Sequence, residues 1–445
     1  SPRDHKEIPN MSLVPNNDST LLFVNAGMFP LVPFLTGEKH PLGKRLCNIQ
    51  HCLRPKYEEV IEIGDSRHTI MFEMIGNWSL GDFDKSYQIP WILEFYVKVV
   101  GLDPNRIYVT VWQGNDKIPM DTVAIDCWKK AFREYGIEAE YSEDIYNTPK
   151  DLEQGSNFKY KIFPYGKSKN WWQRKEAVGE LGGPSSEIFY DLGISEQIQE
   201  KYHINDDSGR FVEIGNNVFM EYYLDKDLNW QPLKQKNIDF GGGFERLVMC
   251  VAGLKDIFDT DLFESFIKEA EIISGKKYKN EDGTPNEYTS ALRVIADHAR
   301  AATFIIADGI LPSNKDQGYI LRRFIRRMVR FGKKLGIEQN FTSKIGKKVI
   351  ERMSGIYSQL DERSEIILNT LDKEESNFRK TLTKGLKEIE TLKKKNKTLD
   401  GNTAFYIYET YGYPIEMTVE EYGLNEEETE VVFKSFKEEE EKHKA

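Results

Sequence analysis

The chain has 445 residues, 39% of them hydrophobic and 30% charged, which is the balance of a globular protein with two or three domains. It contains no apolar run near the ~20 residues that a bilayer-spanning helix needs, and its first residues lack the apolar stretch of a secretory signal. We therefore expect a cytoplasmic protein. The net charge of −11 argues against nucleic-acid binding over the whole protein surface. A net charge does not, however, describe the local electrostatic field of one patch.

The first half of the chain is predicted to mix strands and helices. Runs rich in aromatic and β-branched residues, bounded by turn residues, predict strands at 20–28, 67–75, 106–112, 186–193 and 217–224. Helical patterns lie at 88–102 and 122–136. Because the two kinds of element do not alternate regularly, an antiparallel sheet with helices on it is favoured over a doubly wound sheet, which makes the fold class α+β.

From about Asp256 onward the patterns are almost all helical, with glycine and proline confined to the joints. Helices are predicted at 259–275, 291–309, 319–336 and 361–395, and the chain ends in a charged helical stretch. We expect these segments to form a second, helical domain.

Five arginines fall within nine positions of the third of these helices. Winding it at about 100° per residue gathers Leu321, Phe324, Ile325 and Met328 on one face and the arginines on the other. No acidic residue lies in the stretch, whereas a merely solvated helix usually alternates its charges. The pattern favours phosphate binding by this basic face.

The stretch "NIDFGGGFERLVMC" (237–250) places three glycines between Asp239 and Arg246. Such a run marks either a tight bend packed against the core or a place where backbone approaches a ligand. Arginine pairs suit phosphate geometry, so Arg246 and Arg54 fit displacement at an α-phosphate without a protein nucleophile. The four cysteines lack paired C-x-x-C elements, and we expect free thiols and no structural zinc.

Six blocks of sequence carry a specific resemblance. They are "LLFVNAGM" (21–28), "RHTIMFEMIGNWSLGDF" (67–83), "GPSSEIFYDLG" (183–193), "GGGFERL" (241–247), "RVIADHARAATFIIADGILPSN" (293–314) and "GYILRRFIRR" (318–327). In this order, and over essentially the whole chain, they resemble the alanyl-tRNA synthetases, which are class II enzymes. The resemblance implies an antiparallel sheet that carries the active site (1–253) and a helical tRNA-recognition domain (254–445), with the editing and C-terminal domains absent.

The resemblance implies an ATP-dependent ligase that forms alanyl-adenylate and passes alanine to the 3′ end of tRNA(Ala), with Mg²⁺ accompanying ATP. We expect a protein without a membrane partner, and a monomer is favoured. The implied catalytic residues are the two clamps, Arg54 and Arg246. The implied ATP-binding residues are these two arginines with His68, Phe72, Met74 and Gly243. The implied alanine-binding residues are Trp172, Asn216, Asp239 and Gly241.

For the tRNA acceptor stem, the resemblance points to Asn314 as the residue that reads the G·U pair. Glu409 stands where the family has the aspartate partner of that residue. Arg322, Arg323, Arg326 and Arg327 are the implied phosphate contacts. Ser185 and Gly215 replace a cysteine and a tryptophan near the expected alanine pocket, and in the loop after Arg54 only Lys56 could supply the usual cation.

Two other readings compete with the ligase. One is a synthetase-like enzyme that activates an amino acid without charging tRNA, against which the arginine helix and Asn314 argue. The other is a catalytically silent tRNA-binding protein, against which Arg54, Asp239 and Arg246 argue.

Overall fold

A computed structural model of the chain describes residues 3–15, 21–193, 202–206 and 208–444. The chain divides into two compact units. The first comprises the described residues up to Leu53 together with those from Met71 to Leu262. The second comprises Arg54–Ile70 and the described residues from Phe263 onward. The segment Arg54–Ile70 thus belongs to the helical unit by its contacts, and the division into domains of separate function stays a prediction.

The first unit is built on a mixed β-sheet. In the described part of the chain its strands are β1 (Lys6–Glu7), β2 (Arg45–Leu53), β3 (Met71–Leu80), β4 (Ile107–Trp112), β5 (Glu140–Tyr141), β6 (Tyr160–Tyr165), β7 (Trp171–Gln173), β8 (Leu181–Asp191), β9 (Phe211–Leu224) and β10 (Trp230–Gly243). Their order is β1-β2-β3-β10-β9-β8-β4-β6-β5, with β7 beside β8. The run from β2 to β4 pairs antiparallel, whereas β1–β2, β4–β6 and β5–β6 are parallel.

Helices flank this sheet. They are α1 (Val32–Leu35), α3 (Lys85–Glu94), which continues as a π-helix over Phe95–Val99, α4 (Thr122–Arg133), α5 (Leu152–Ser156), α6 (Lys167–Asn170) and α7 (Phe244–Val251), with 3₁₀ turns at Phe29–Leu31, Pro104–Arg106 and Ile257–Asp259. Side-chain caps fix where two of them begin: Asp84 accepts a hydrogen bond from Ser86 N at the start of α3, and Asp121 accepts one from Ala124 N at the start of α4.

The second unit is helical among its described residues. Its helices are α2 (Tyr57–Glu62), α8 (Glu264–Ser274), α9 (Thr289–Ala307), α10 (Asp316–Lys334), α11 (Thr342–Met353), α12 (Gln359–Glu362), α13 (Ser364–Lys394), α14 (Gly401–Tyr411), α15 (Ile415–Tyr422) and α16 (Glu426–Lys444). The alanine-rich α9 is buried on every side. Within the described ranges, no helix combines the length and the apolar character that crossing a membrane requires.

The predicted α+β class is confirmed, and four of the five predicted strands overlap β3, β4, β8 and β9. The strand predicted at 20–28 is wrong for its described residues 21–28, which form turns and irregular backbone. Their apolar side chains serve packing instead: Met28 joins a buried cluster with Leu35, Trp78 and Val218. The apolar residues of this segment therefore indicate that it is buried, but they do not determine whether its backbone is a strand.

Candidate functional site

The register of the central strands places most of the residues predicted for the first unit on one face of the sheet. Residues that lie directly opposite each other in paired strands point to the same face, and every second residue along a strand does so too. Asp239 lies opposite Trp78 and Val218, and Gly241 lies opposite Gly76 and Asn216. Phe72, Met74 and Gly243 follow on the same face at steps of two. The pairing thus brings together side chains from distant parts of the sequence.

The carboxylate of Asp239 is buried and held by one neighbour. Its Oδ1 accepts a hydrogen bond of 2.8 Å from Trp78 Nε1, and the residue is 9% exposed. Burial raises the pKa of Asp239 to about 7, although the indole hydrogen bond acts in the opposite direction. A buried carboxylate that titrates near neutrality suits a cationic ligand, because the ligand's charge replaces the lost water.

Asn216 supplies a second polar atom on the same face. Its Oδ1 is buried and has no hydrogen-bond partner in the protein. Buried acceptors without partners are rare in folded proteins. This oxygen is free to accept from a donor such as an ammonium group.

Trp172 lines a pocket of about 240 Å³ with Met28, Val32 and Leu35. It packs against the buried cluster that contains Trp78. Arg174 and Glu180, which also line this pocket, form an ion pair of 2.8 Å. Trp172 therefore lies at an apolar wall of this pocket and packs against the cluster to which the tryptophan bonded to Asp239 belongs.

The three glycines end strand β10, and helix α7 follows directly. A Cβ on Gly241 would come within 2.7 Å of Met74 Sδ, and one on Gly242 within 2.9 Å of Ile214 O. A Cβ on Gly243 would meet only Arg246, at ordinary contact distances from 3.7 Å. Close packing thus requires the first two glycines, whereas Gly243 leaves space.

Glu245 is a residue that the sequence reasoning missed. It is 2% exposed, and its carboxylate accepts from Glu73 N at 3.0 and 3.2 Å. Glu73 lies between Phe72 and Met74, so Glu245 anchors the backbone between the two predicted adenine contacts. The one signal in the sequence is its place beside Arg246.

Arg246 projects from the first turn of α7, and its Nη1 donates to Glu213 O at 3.2 Å. The carboxylate of Glu213 lies 3.8 Å from the same nitrogen. Glu187, opposite Asn216 in the register, is also buried. The pKa of Glu187 is raised to about 9, mainly because the residue is buried and secondly because the charge of Glu213 repels its own. Sequence reasoning did not single out these two carboxylates.

Arg54 and His68 lie in the second unit, on the segment Arg54–Ile70. Arg54 is exposed, and its backbone N–H donates to Ile70 O at 3.0 Å, which closes the segment. His68 Nδ1 lies 2.6 Å from Asp65 Oδ2. Burial would raise the pKa of Asp65, but the hydrogen bond and charge of His68 outweigh it and lower that pKa to about 2. His68 is thus already engaged by a carboxylate, a cost that phosphate binding would have to overcome.

Asn314 and Glu409 come together in the second unit although they lie far apart in the sequence. Both are exposed, and they line one pocket of about 280 Å³. The other lining residues are Tyr319, Arg322, Arg323, Arg326, Tyr408, Gly412 and Pro414. Arg322 Nη1 donates to Asn314 Oδ1, which orients the amide.

The arginines of α10 do not form the exposed basic face that the helical wheel suggested. Arg323, Arg327 and Arg330 are 8%, 3% and 2% exposed. Glutamates from α13 and α15 neutralise the row: Glu374 pairs with Arg322 and Arg326, Glu416 with Arg323, Glu420 with Arg327 and Arg330, and Glu421 with Arg330. Helix α10 has no acidic residue among its arginines, and the glutamates that pair with them belong to helices later in the chain. Of the four predicted phosphate contacts, Arg327 lies outside the pocket lining.

Comparison with known proteins gives this geometry a family. A family profile described as "tRNA synthetases class II (A)" matches residues 1–445. The chain belongs to this family. It is 40% identical to an alanine–tRNA ligase of Treponema denticola, over 98% of the chain and 70% of that protein. It is 38% identical to an alanine–tRNA ligase of Borreliella afzelii, over 95% of the chain and 67% of that protein.

Likeness to solved structures is weaker. A histidyl-tRNA synthetase of S. aureus covers 56% of the chain, and the chain covers 61% of it, at 13% identity and a TM-score of 0.30. So low a score carries no argument about this chain. The resemblance to alanyl-tRNA synthetases is confirmed by the sequence matches, whereas the roles of single residues remain predictions.

For this class II synthetase, one expectation about the alanine pocket is wrong. Gly215 is adjacent to Asn216 in β9 and so points to the opposite face of the sheet. A Cβ there would lie 2.5 Å from Tyr96 Oη and 2.8 Å from the Phe240 ring. Packing on the far face therefore excludes a larger side chain at this position, and Gly215 does not face the expected alanine pocket. Ser185, by contrast, lies opposite Val218 on the face of Asp239.

Proposed function

We propose that this chain activates L-alanine with ATP to alanyl-adenylate and transfers the alanyl group to the 3′ end of tRNA(Ala). The observation that supports it best is the buried Asp239 carboxylate on the sheet face shared with Phe72, Met74 and Asn216. A methyl side chain offers little to bind, so an amino acid as small as alanine needs a firm hold on its ammonium group. Family membership and the two alanine–tRNA ligases supply the amino-acid identity.

Asp239 and the free Oδ1 of Asn216 receive the ammonium of alanine, and Trp172 limits the space for its side chain. An oxygen of the alanine carboxylate attacks the α-phosphorus of ATP, and the bond to the bridging oxygen breaks, which releases pyrophosphate. Arg54 offsets the negative charge that develops at the α-phosphate, and Arg246 holds the far phosphates. Phe72 stacks on adenine, and the backbone at Met74, anchored through Glu245, reads its edge.

Transfer then joins alanine to RNA. A hydroxyl of the terminal adenosine attacks the carbonyl carbon of the adenylate, its proton is lost, and AMP leaves with the former mixed-anhydride oxygen. Asn314 and Glu409 read the acceptor stem from their shared pocket. Glu409 is one methylene longer than the aspartate of the family, so it reaches further toward the base pair.

Mg²⁺ accompanying ATP would supply neutralisation of the phosphate charge. Two carboxylates suit it, Glu187 and Glu213, whose interaction contributes to the raised pKa of Glu187. Two acids that repel each other offer oxygen ligands of the kind that a divalent cation prefers. Among the described residues, no group of three or more His, Cys, Asp or Glu is placed to hold a metal ion. The expectation that no zinc is bound stays a prediction.

The test is ATP–pyrophosphate exchange with alanine, glycine and serine in parallel, followed by charging of tRNA(Ala). We expect exchange with alanine and weaker exchange with glycine and serine, because a methylene or hydroxyl changes binding by only ~1–3 kcal/mol. Absence of alanine-dependent exchange would sink the proposal. Exchange without charging would instead identify an activating enzyme that does not charge tRNA.

A further inference from the structure

The segment Arg54–Ile70 is fastened to the helical unit at its beginning, middle and end. Side chains of α9 and α10 make the three bonds: Arg323 Nη2 donates to Pro55 O, Arg293 Nη1 donates to Gly64 O at 3.0 Å, and Asp297 Oδ1 accepts from Ile70 N at 3.0 Å. The segment carries Arg54, the predicted α-phosphate clamp. Helix α10, which lines the Asn314–Glu409 pocket, therefore also holds the backbone beside this clamp.

Arg323 differs from the other two anchors because it takes part in both places. It lines the Asn314–Glu409 pocket and bonds to the residue that directly follows Arg54. Its Nη1 lies 3.4 Å from Glu416 Oε1, and its Nε is buried without a hydrogen-bond partner. A buried donor without a partner is costly, so the Arg323 guanidinium gains from any shift that brings Nε to an acceptor.

The Arg54–Pro55 dipeptide is stiff, so a movement of its carbonyl is transmitted. The proline ring fixes φ of Pro55, and steric contact with the ring keeps Arg54 in extended conformations. The hydrogen bond from Arg54 N to Ile70 O holds the other side of the residue. Because φ of Pro55 is fixed, a displacement of its carbonyl carbon is passed to the Arg54–Pro55 peptide and changes the direction of the Arg54 side chain, whereas rotation about ψ alone would turn only the oxygen.

We propose that Arg323 is a positioning residue that couples occupancy of the Asn314–Glu409 pocket to the placement of Arg54. The inference rests on the proposed function, in which RNA fills the pocket and Arg54 grips ATP. A phosphate or 2′-hydroxyl oxygen of the acceptor stem contacts the Arg323 guanidinium at the pocket, and the guanidinium then sets the Pro55 carbonyl and with it Arg54. Because linkage is reciprocal, the stem tightens ATP binding by the same factor by which ATP tightens binding of the stem.

The experiment measures the dissociation constant of ATP with and without an RNA duplex of the tRNA(Ala) acceptor stem. The terminal adenosine of this duplex lacks both hydroxyls, so it cannot be charged. In the wild-type protein we expect the duplex to tighten ATP binding about 5-fold or more. In Arg323→Lys the factor falls below about 2-fold, because an ammonium cannot bond the carbonyl and the pocket ligand as a planar fork does.

Arg379→Lys is the matched control. Arg379 also bridges a carboxylate and backbone carbonyls, those of Ile337 and Gln339, but it bonds neither the segment nor the pocket residues. We expect it to keep the wild-type factor. An unchanged factor in Arg323→Lys, no effect of the duplex on the wild-type protein, or an equal loss in Arg379→Lys would each overturn the inference.

A second variant decides the matter if Arg323→Lys does not fold. Pro55→Ala keeps the carbonyl that Arg323 bonds but releases the backbone restriction on Arg54, so we expect it to lose the coupling as well; retained coupling there overturns the inference. Alanine-dependent pyrophosphate exchange without RNA tests the proposed function separately. If exchange is present while the duplex leaves ATP binding unchanged, only the coupling fails.

Discussion

Asp239 titrates close to neutral pH because burial disfavours its charge more strongly than the Trp78 hydrogen bond favours it. If Asp239 holds alanine as proposed, only its ionised carboxylate attracts the ammonium group, which itself stays protonated near neutral pH. We therefore expect kcat/KM for alanine in pyrophosphate exchange to fall as pH drops through about 7, approaching tenfold per pH unit below it. The measurement is a pH profile of the exchange between pH 5.5 and 8.5.

Trp78→Phe provides a matched control for this profile. It keeps an aromatic ring but removes the indole N–H that lowers the pKa of Asp239, so the inflection should move to higher pH. An inflection at the same pH in both proteins would assign the titration to another group. A flat wild-type profile would mean that Asp239 does not hold the ammonium.

The two predicted clamps differ in their surroundings, and this difference is testable. Arg54 is exposed, whereas Arg246 is half-buried and bonded to Glu213. Removing a donor that stabilises developing charge typically costs about 10²-fold in rate. We expect Arg54→Ala to lower kcat of the exchange by roughly that factor. Arg246→Ala should mainly raise KM for ATP, because Arg246 is predicted to hold the phosphates that lie away from the reacting atom.

Steady-state exchange with varied ATP separates the two effects. Lysine replacements serve as controls, since they keep the charge but lose the fork, and they should recover part of the loss. Near-normal exchange by both alanine variants would contradict the assignment of the clamps.

At the scale of an element, the glycines of β3 and β10 divide into those that packing needs and one that it does not. A Cβ on Gly76 would come within 2.1 Å of the Trp78 ring, whereas one on Gly243 meets nothing closer than 3.7 Å. We expect Gly76→Ala to cost about 1–3 kcal/mol of unfolding free energy, through displacement of Trp78. Gly243→Ala should unfold like the wild type but raise KM for ATP.

Urea unfolding combined with exchange kinetics distinguishes the two glycines. If Gly243→Ala binds ATP with wild-type affinity, the prediction that Gly243 lies in the ATP site is wrong. Wild-type stability in Gly76→Ala would show that the Trp78 ring can move aside without loss.

Helix α10 likewise carries arginines of two kinds. The side chain of Arg327 is 4% exposed and lies 3.1 Å from Glu420, and Arg322 is 22% exposed at the pocket. Arg327→Met should cost about 3 kcal/mol of unfolding free energy, the lower end for breaking a buried pair, because Arg330 still neutralises Glu420. Arg322→Met should cost less than about 1 kcal/mol and weaken binding of tRNA(Ala).

Urea unfolding and binding of tRNA(Ala) by fluorescence anisotropy test both variants together. If Arg327→Met has the unfolding free energy of the wild type, the Arg327–Glu420 pair does not stabilise the fold. If Arg322→Met binds RNA like the wild type, the pocket is not the acceptor-stem site.

These elements also show what the sequence could and could not predict. Amphipathic period and helix-breaking residues located α9, α10 and α13 well, because such signals are local. Strands β2 and β10 were missed: β10 contains the polar run "LKQK" (233–236) and three glycines, and its place in the sheet depends on pairing with distant strands. The Trp78 bond to Asp239 could not be predicted for the same reason, because it depends on cross-strand register.

The prediction of an exposed basic face on α10 was wrong for a related reason. The glutamates that neutralise it lie far along the chain: Glu374 is 48 positions from Arg326, and Glu420 is 93 positions from Arg327. A helical wheel contains no information about partners at such a distance. The motifs did name Asn314 and Glu409, and the structure brings these two residues to one pocket.

At the scale of the whole molecule, a chain of net charge −11 is predicted to bind a polyanion, and its most concentrated arginines are already paired internally. RNA affinity must then come from few phosphate contacts and from base-pair recognition in the Asn314–Glu409 pocket. This view differs from that of a basic helix lying along the phosphate backbone. The salt dependence of binding separates the two, because each neutralised phosphate releases counterions.

We expect the plot of log K against log [salt] for tRNA(Ala) to have a slope of about −2, which corresponds to about two phosphate contacts at ~0.9 each. Arg322 and Arg326 are the half-buried arginines of the pocket that would make them. Engagement of all five arginines of α10 would give a slope of about −4.5 on the same scale. Fluorescence anisotropy between about 50 and 400 mM KCl, over which the Debye length falls from about 14 Å to about 5 Å, measures the slope. Arg322→Met should reduce the slope by about one, whereas Arg379→Lys should leave it unchanged. A wild-type slope near −4.5 would mean that the buried arginines leave their glutamates to bind RNA, and the internal pairing would then describe only the free protein.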